Sequence, residues 1–234
     1  MTSRKLHWGL LVSGLVYFVW SGIAPNGRFN WLMETFPAMA GGIVLVATYR
    51  RFPLSDVNYA LVWFFSLILM TGGHYTYAEV PIGNWFRDTF HLSRNHFDRA
   101  GHFFQGVIPA MLARELMLRT SPLKPGKWLF LCCTSIALAI SAAYELFEWR
   151  YAVTFGGKQA DDFLGSQGDI WDAQKDMFQA LCGAVLSQLC LGRLQDRQIR
   201  SLEPAAAGDP ASGPGRGAEV PGGQRPCPGC PGRR

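Results

Sequence analysis

Asp98 and His102 stand four residues apart, Glu145 and Glu148 three apart, and Asp169, Asp172 and Asp176 at steps of three and four. On a helix each spacing puts its side chains on one face. Carboxylates and an imidazole gathered in a low-dielectric setting cannot all carry charge alone: some keep a proton, or cations balance them. Two chemistries follow. Oxygen-rich ligands with one imidazole suit a divalent metal, and Asp98, His102, Glu145 and Asp172 are the candidate ligands. Such a metal brings a bound water near neutral pKa for attack on an ester or phosphoester. Without a metal, a carboxyl group that keeps its proton acts as general acid or base with His102 as partner. The candidate catalytic set is His102, Glu145, Asp172, Asp98, Asp176 and Glu148. His102, Glu145 and Asp172 lead it, being least explained by helix capping. A plainer account stands beside this one. Asp98 and Asp169 also fit N-caps or dipole partners, and Glu148, next to Trp149 and Arg150, fits an interfacial residue in contact with water.

The elements that must position these residues are membrane helices. Crossing a bilayer core takes ~20 mostly apolar residues. Six runs approach that: about Trp8–Ala24, Trp31–Tyr49, Val57–Tyr77, Phe97–Leu118, Trp128–Tyr151 and Ile170–Leu191. They are too long and continuous for the alternating pattern of a barrel. The expected fold is all-α, a polytopic membrane protein of about six spans over residues 1–201. Arg4, Lys5 and a small-x-small step at Gly22-Ile23-Ala24 also allow the first run to be a cleaved signal, although its apolar stretch is long for one.

Lys and Arg set the orientation. One set of connections holds Arg4, Lys5, Arg50, Arg51, Arg119, Lys124, Lys127, Arg193, Arg197 and Arg200; the other holds Arg28, Arg87, Arg94, Arg150 and Lys158. Ten against five puts both termini in the cytoplasm. The three acidic clusters then meet at one level, near the extracytoplasmic surface, with Glu34 and the His74–Glu79 stretch beside them. Arg99 and Arg150 are placed to cover part of their charge. Arg114, Glu115 and Arg119 mark the other end of the fourth run as a local salt-bridged feature. Trp31, Trp85, Trp128 and Trp149 fall near run ends, as interfacial anchors do. The stretch Gly165–Gln174 reads either as a lid or substrate shelf, or as a tight turn into a helix.

Composition agrees. The chain is 49% hydrophobic and 17% charged, against ~25% charged in an ordinary soluble domain. A soluble nucleic-acid binder is therefore excluded as the source of the +5 charge. From Pro204 to Arg234, 15 of 31 residues are Gly or Pro, so residues 202–234 are expected to form a disordered cytoplasmic tail. Cys227 and Cys230 form a lone CxxC there, without further ligands. The other four cysteines lie in apolar runs and read as filler. No P-loop, HExxH or dinucleotide fingerprint is present.

The runs His96–Phe103 with Gln105-Gly106, Ser141–Trp149, Phe163–Met177 and Gly72–Pro81 resemble the bacterial inner-membrane proteins typified by YjdF. The likeness covers roughly residues 5–200; Ala173 stands where many members carry Thr. It implies a multi-pass protein of the bacterial inner membrane and supplies no reaction. A more distant likeness, to VanZ-like proteins, rests on an acid-then-histidine helix start, a late Glu and an Asp entering the last helix. It points to the cell envelope.

The reading is an enzyme on a lipid-linked or cell-envelope substrate, embedded in the lipid bilayer and without a nucleic-acid partner. The alternatives are a proton-coupled transporter and a non-catalytic membrane scaffold.

Overall fold

The computed structural model describes residues 2–157 and 163–202. Among these residues lie seven α-helices, one 3-10 turn and no strand. They are α1 (Thr2–Ser21), α2 (Arg28–Thr48), α3 (Asp56–Tyr75), α4 (Pro81–Thr89), α5 (Phe97–Thr120), α6 (Lys127–Phe155) and α7 (Asp172–Leu202), with the 3-10 turn at Tyr77–Glu79. Four of them (α2, α3, α6 and α7) are long and apolar enough to cross a bilayer. α1 is diluted by Arg4, Lys5 and His7, and α5 by Asp98, Arg99, Arg114, Glu115 and Arg119. The expected sixth run ends at Leu191, whereas α7 continues to Leu202. The tail assigned from residue 202 onward and its CxxC lie, apart from Leu202, outside the described residues.

The bundle is apolar outside, and its ionisable groups turn inward among an apolar core. Val16, Ile43, Leu146, Phe155 and Leu189 are all more than 60% exposed, whereas Glu34, Asp98, His102, Arg114, Glu115, Glu148 and Asp176 are buried. That inversion suits a hydrocarbon solvent, in which ionisable groups turn to the bundle interior. Trp85, Trp128 and Trp149 are exposed as anchors should be. Trp31 is not: its indole donates to Ser21 Oγ at 3.1 Å and packs beside Phe18, joining α2 to α1.

α5 is the centre and packs on α7, α6 and α3. Its closest neighbour is α7, and two glycines make the approach possible. A Cβ on Gly106 would lie 1.8 Å from Ala180 O, and one on Gly183 would lie 2.0 Å from Phe103 O. Small residues at membrane-helix crossings let backbones touch, which raises dispersion contact without any hydrophobic drive. α1 joins through Tyr17 to Thr71 (2.8 Å) and Trp63 to Ser13 (3.1 Å).

The far end of α5 holds a second polar knot. Glu115, fully buried, accepts from Ser55 N (2.9 Å), Ser55 Oγ (2.5 Å), Asn58 Nδ2 (2.8 Å) and Arg119 Nη1 (3.0 Å). Arg114 reaches Gln195 at 2.9 Å and Asp196 at 2.7 Å. The expected local salt bridge is thus a three-helix tie joining α3, α5 and α7.

α4 falls where the sequence reading leaves a connection. Pro81 opens it at a position where a missing N–H costs nothing. Ile82, Trp85, Phe86 and Phe90 lie on one face and are exposed.

Candidate functional site

The site is built at the start of α5. Asn95, fully buried, accepts from Phe97 N at 2.9 Å, so it serves the helix start. Its amide donates to Ala78 O, Val80 O and Asn84 Oδ1, each at 3.0 Å. Asp98 is thereby released from capping and turns inward.

Asp98 and His102 share a face, with Asp98 Oδ1 3.5 Å from His102 Nε2. The tight α5–α7 crossing brings Asp176 to them. One donor atom each from Asp98, His102 and Asp176 lies within 4.8 Å of the others, and all three residues are buried. His102 Nδ1 is 2.9 Å from Gln105 Oε1 and 3.5 Å from Glu145 Oε1 on α6. The Gln105 oxygen can only accept, so Nδ1 is the donor in that contact, and Nε2 faces the Asp98 carboxylate. Three carboxylate oxygens in this group (Asp98 Oδ2, Glu145 Oε1 and Asp176 Oδ1) are buried and accept no hydrogen bond. Buried acceptors of that kind call for a cation, a proton or ordered water. A cavity of about 160 Å³ opens beside them, bounded by Glu34, Tyr77, Asp98, His102, Tyr144 and Glu148.

Of the four candidate ligands, Asp98 and His102 come together, and Glu145 faces the imidazole from its other side. Asp172 does not join them. It is held by Arg94, in a short contact through Nη1, and by Arg99 Nη2 at 3.4 Å. An arginine pair neutralises it, which leaves Asp176, one turn further along α7, as the carboxylate that meets Asp98. Glu148 lies on the cavity wall instead of at a wet interface. Arg150 is exposed and makes no ion pair among the described residues, so the cationic cover comes from Arg94 and Arg99. His74 serves α1: its Nδ1 meets Ser21 O at 2.9 Å and its ring stacks on Trp20.

The loop before α7 is pinned. Arg94 donates to Gly165 O (2.9 Å) and Ser166 O (3.0 Å). Gln167 accepts from Asn95 N at 3.0 Å and donates back to Asn95 O at 2.9 Å. Gly165, at φ +60°, supplies the left-handed backbone that turns the chain beside Asp98, whose Oδ2 would lie at an ordinary contact distance of 3.5 Å from a Cβ there. Asp169 turns the chain into α7 by accepting from Trp171 N at 3.1 Å. The loop is therefore a strap bolted over the site by Arg94 and Asn95. Neither residue was singled out from sequence for this role. The available signal was an Arg-Asn pair abutting the acidic helix start.

Asp169 carries a testable consequence. Hydrogen bonds from Lys175, then from the Trp171 amide and Arg99, hold its carboxyl below the usual 3.8, at about 2. A folded pKa below the unfolded one means that the contribution is complete above 3.8 and is lost as pH falls through about 2. NMR of ¹³C-labelled aspartate in nanodiscs is expected to show this midpoint near 2. A midpoint at the ordinary value would refute the Lys175 contact. His96, partly buried beside Arg99, Arg94 and Lys175, is pushed below its ordinary 6.5 and favours the neutral form.

Comparison with known proteins completes the description. The family described as "Predicted membrane protein (DUF2238)" matches residues 6–197. Inner membrane protein YjdF of Escherichia coli (strain K12) is 46% identical over 182 residues, covering 78% of this chain and 87% of that protein. No solved structure matches. With apolar helices of spanning length, buried charge and these matches together, the chain belongs to the DUF2238 family of membrane proteins.

Proposed function

We propose that this protein is a metal-assisted enzyme of the bacterial inner membrane, acting on a lipid-linked or cell-envelope substrate at the extracytoplasmic surface. It has six spans, counting α1 and α5, with both termini in the cytoplasm. One observation carries the reading: Asp98, His102 and Asp176 offer donor atoms within 4.8 Å of one another, beside buried carboxylate oxygens that accept no hydrogen bond, although Arg94 stands 3.8 Å from Asp98 Oδ2. A divalent cation there supplies Lewis acidity toward a phosphoryl or carbonyl oxygen. Asp98, His102 and Asp176 would hold it. Glu145 and Gln105 fix the imidazole, and Glu148 and Tyr144 stand on the cavity wall to exchange a proton with a reacting group. Arg94 and Arg99 tether Asp172 and the strap.

A one-sided site favours an enzyme over a transporter. Between Gln105 and Arg114, α5 has no ionisable residue, and the polar knot at Glu115 is closed by its own partners. A transport path needs polar groups through the midplane.

Metal content of the detergent-purified protein, measured by mass spectrometry, tests the reading. The wild type is expected to hold near-stoichiometric divalent metal, Asp176→Asn and Asp98→Asn to lose it, and Asp172→Asn to keep it. Metal-free wild type sinks the metal and leaves acid/base chemistry at His102.

A further inference from the structure

A second cavity, of about 230 Å³, lies between α2, α3 and α5. It shares Pro37, Phe65, Leu69 and Ile108 with the carboxylate–histidine cavity, so the two adjoin. The character changes along the way. The upper part holds Glu34, Asp98, His102 and Glu148. The lower part has no ionisable side chain, and its one hydroxyl, Ser66, is spent on Val62 O at 2.8 Å. Space for one water takes roughly 10–15 Å³, so this void is large, and its apolar walls do not suit water. It follows α2 downward. From Glu34 to Leu45 that helix rises about 16 Å at ~1.5 Å per residue, roughly half of a ~30 Å hydrocarbon core. α2 packs on α3 and leaves α5 uncovered at this level. Gly41 lines the gap, and a Cβ there would meet nothing within 4 Å, so a larger side chain at this position has room to enter it. Val44, on its rim, is 57% exposed, so the void opens sideways to the bilayer.

We propose that this groove takes one hydrocarbon chain of a phospholipid-type amphiphile whose head group sits in the carboxylate–histidine cavity. The inference rests on the enzyme reading and specifies its substrate: a lipid that enters laterally, chain down along α2, phosphate up beside Asp98 and His102. The polar-to-apolar gradient across two adjoining cavities matches an amphiphile and neither a free water-soluble phosphate nor a detached alkyl chain.

The test uses full-length protein in phosphatidylcholine vesicles doped with phosphatidic acid that carries a diazirine at mid-chain. After illumination, adducts are mapped by peptide mass spectrometry. Adducts are expected on Leu45, Val62 and Leu112, falling several-fold in Gly41→Phe and unchanged in Gly42→Phe. Gly42 is the matched control, because its Cβ also meets nothing and it does not line the groove. Gly41→Leu serves as a second blocking variant, and an unchanged circular dichroism spectrum reports that each variant is folded. Adducts that ignore Gly41→Phe, or that spread evenly over the exposed faces of α1 and α2, show bilayer lipid only and overturn the proposal. A metal-free wild type with the adduct pattern intact fails the metal reading alone. Metal kept with no groove adducts fails the groove alone.

Discussion

Gly106→Ala is expected to destabilise the bundle by about 3 kcal/mol, at the upper end of the cost of overpacking a close-packed interior. The obstacle is a backbone carbonyl, Ala180 O, 1.8 Å from where the new Cβ would stand. It cannot rotate away as a side chain would. Gly183→Ala, whose Cβ would sit 2.0 Å from Phe103 O, should behave alike. Forcing α5 from α7 also separates Asp98 and His102 from Asp176. If the site holds a metal as proposed, both variants should therefore lose it along with stability. Gly9→Ala supplies the contrast: nothing lies within 4 Å of its Cβ, and replacing a helical glycine by alanine favours the helix by roughly 0.5–1 kcal/mol. Denaturant unfolding in detergent, followed by circular dichroism, reads all three. A Gly106→Ala protein as stable as wild type would show that the helices do not cross this closely.

Glu115→Ala is the second large effect, and it acts at the opposite end of α5. Removing the carboxylate strips Ser55, Asn58 and Arg119 of their common acceptor. Breaking a buried ion pair from one side costs about 3–5 kcal/mol, because the groups left behind remain out of water. Glu115→Gln keeps the shape and an acceptor oxygen, so it should lose less. The informative contrast is function: this knot does not touch the carboxylate–histidine cavity, so Glu115→Gln that folds should keep its metal. Metal loss in a folded Glu115→Gln protein would show that the two ends of α5 are coupled.

Much of this arrangement is legible in the residues. Helical spacing puts Asp98 with His102 and Glu145 with Glu148 on shared faces, and counting apolar runs brings those faces to one end of a bundle. Which acid meets which base is another matter. Asp172 and Asp176 share a stripe, and only the rotation of α7 against α5 decides between them. That rotation is set by Gly106 and Gly183, whose contribution is an absent side chain, invisible to any search for chemical groups. Arg94 is hidden for a related reason. Counted as one positive charge among fifteen it marks a side of the membrane, and its partnership with Asp172 is a contact across 78 residues of chain. α4 escapes a search for long apolar runs because only one of its faces is apolar.

That small helix has a consequence of its own. Its outward row, Ile82, Trp85, Phe86 and Phe90, is the kind of aromatic edge that settles at the boundary between head groups and hydrocarbon. Through Asn84 and the carbonyl of Val80 it is bonded to Asn95, three residues before Asp98. The waterline of the protein and the height of its carboxylates are thus one mechanical unit. If the bilayer thickens or thins, the slack falls on the opposite leaflet, and the carboxylates keep their draught.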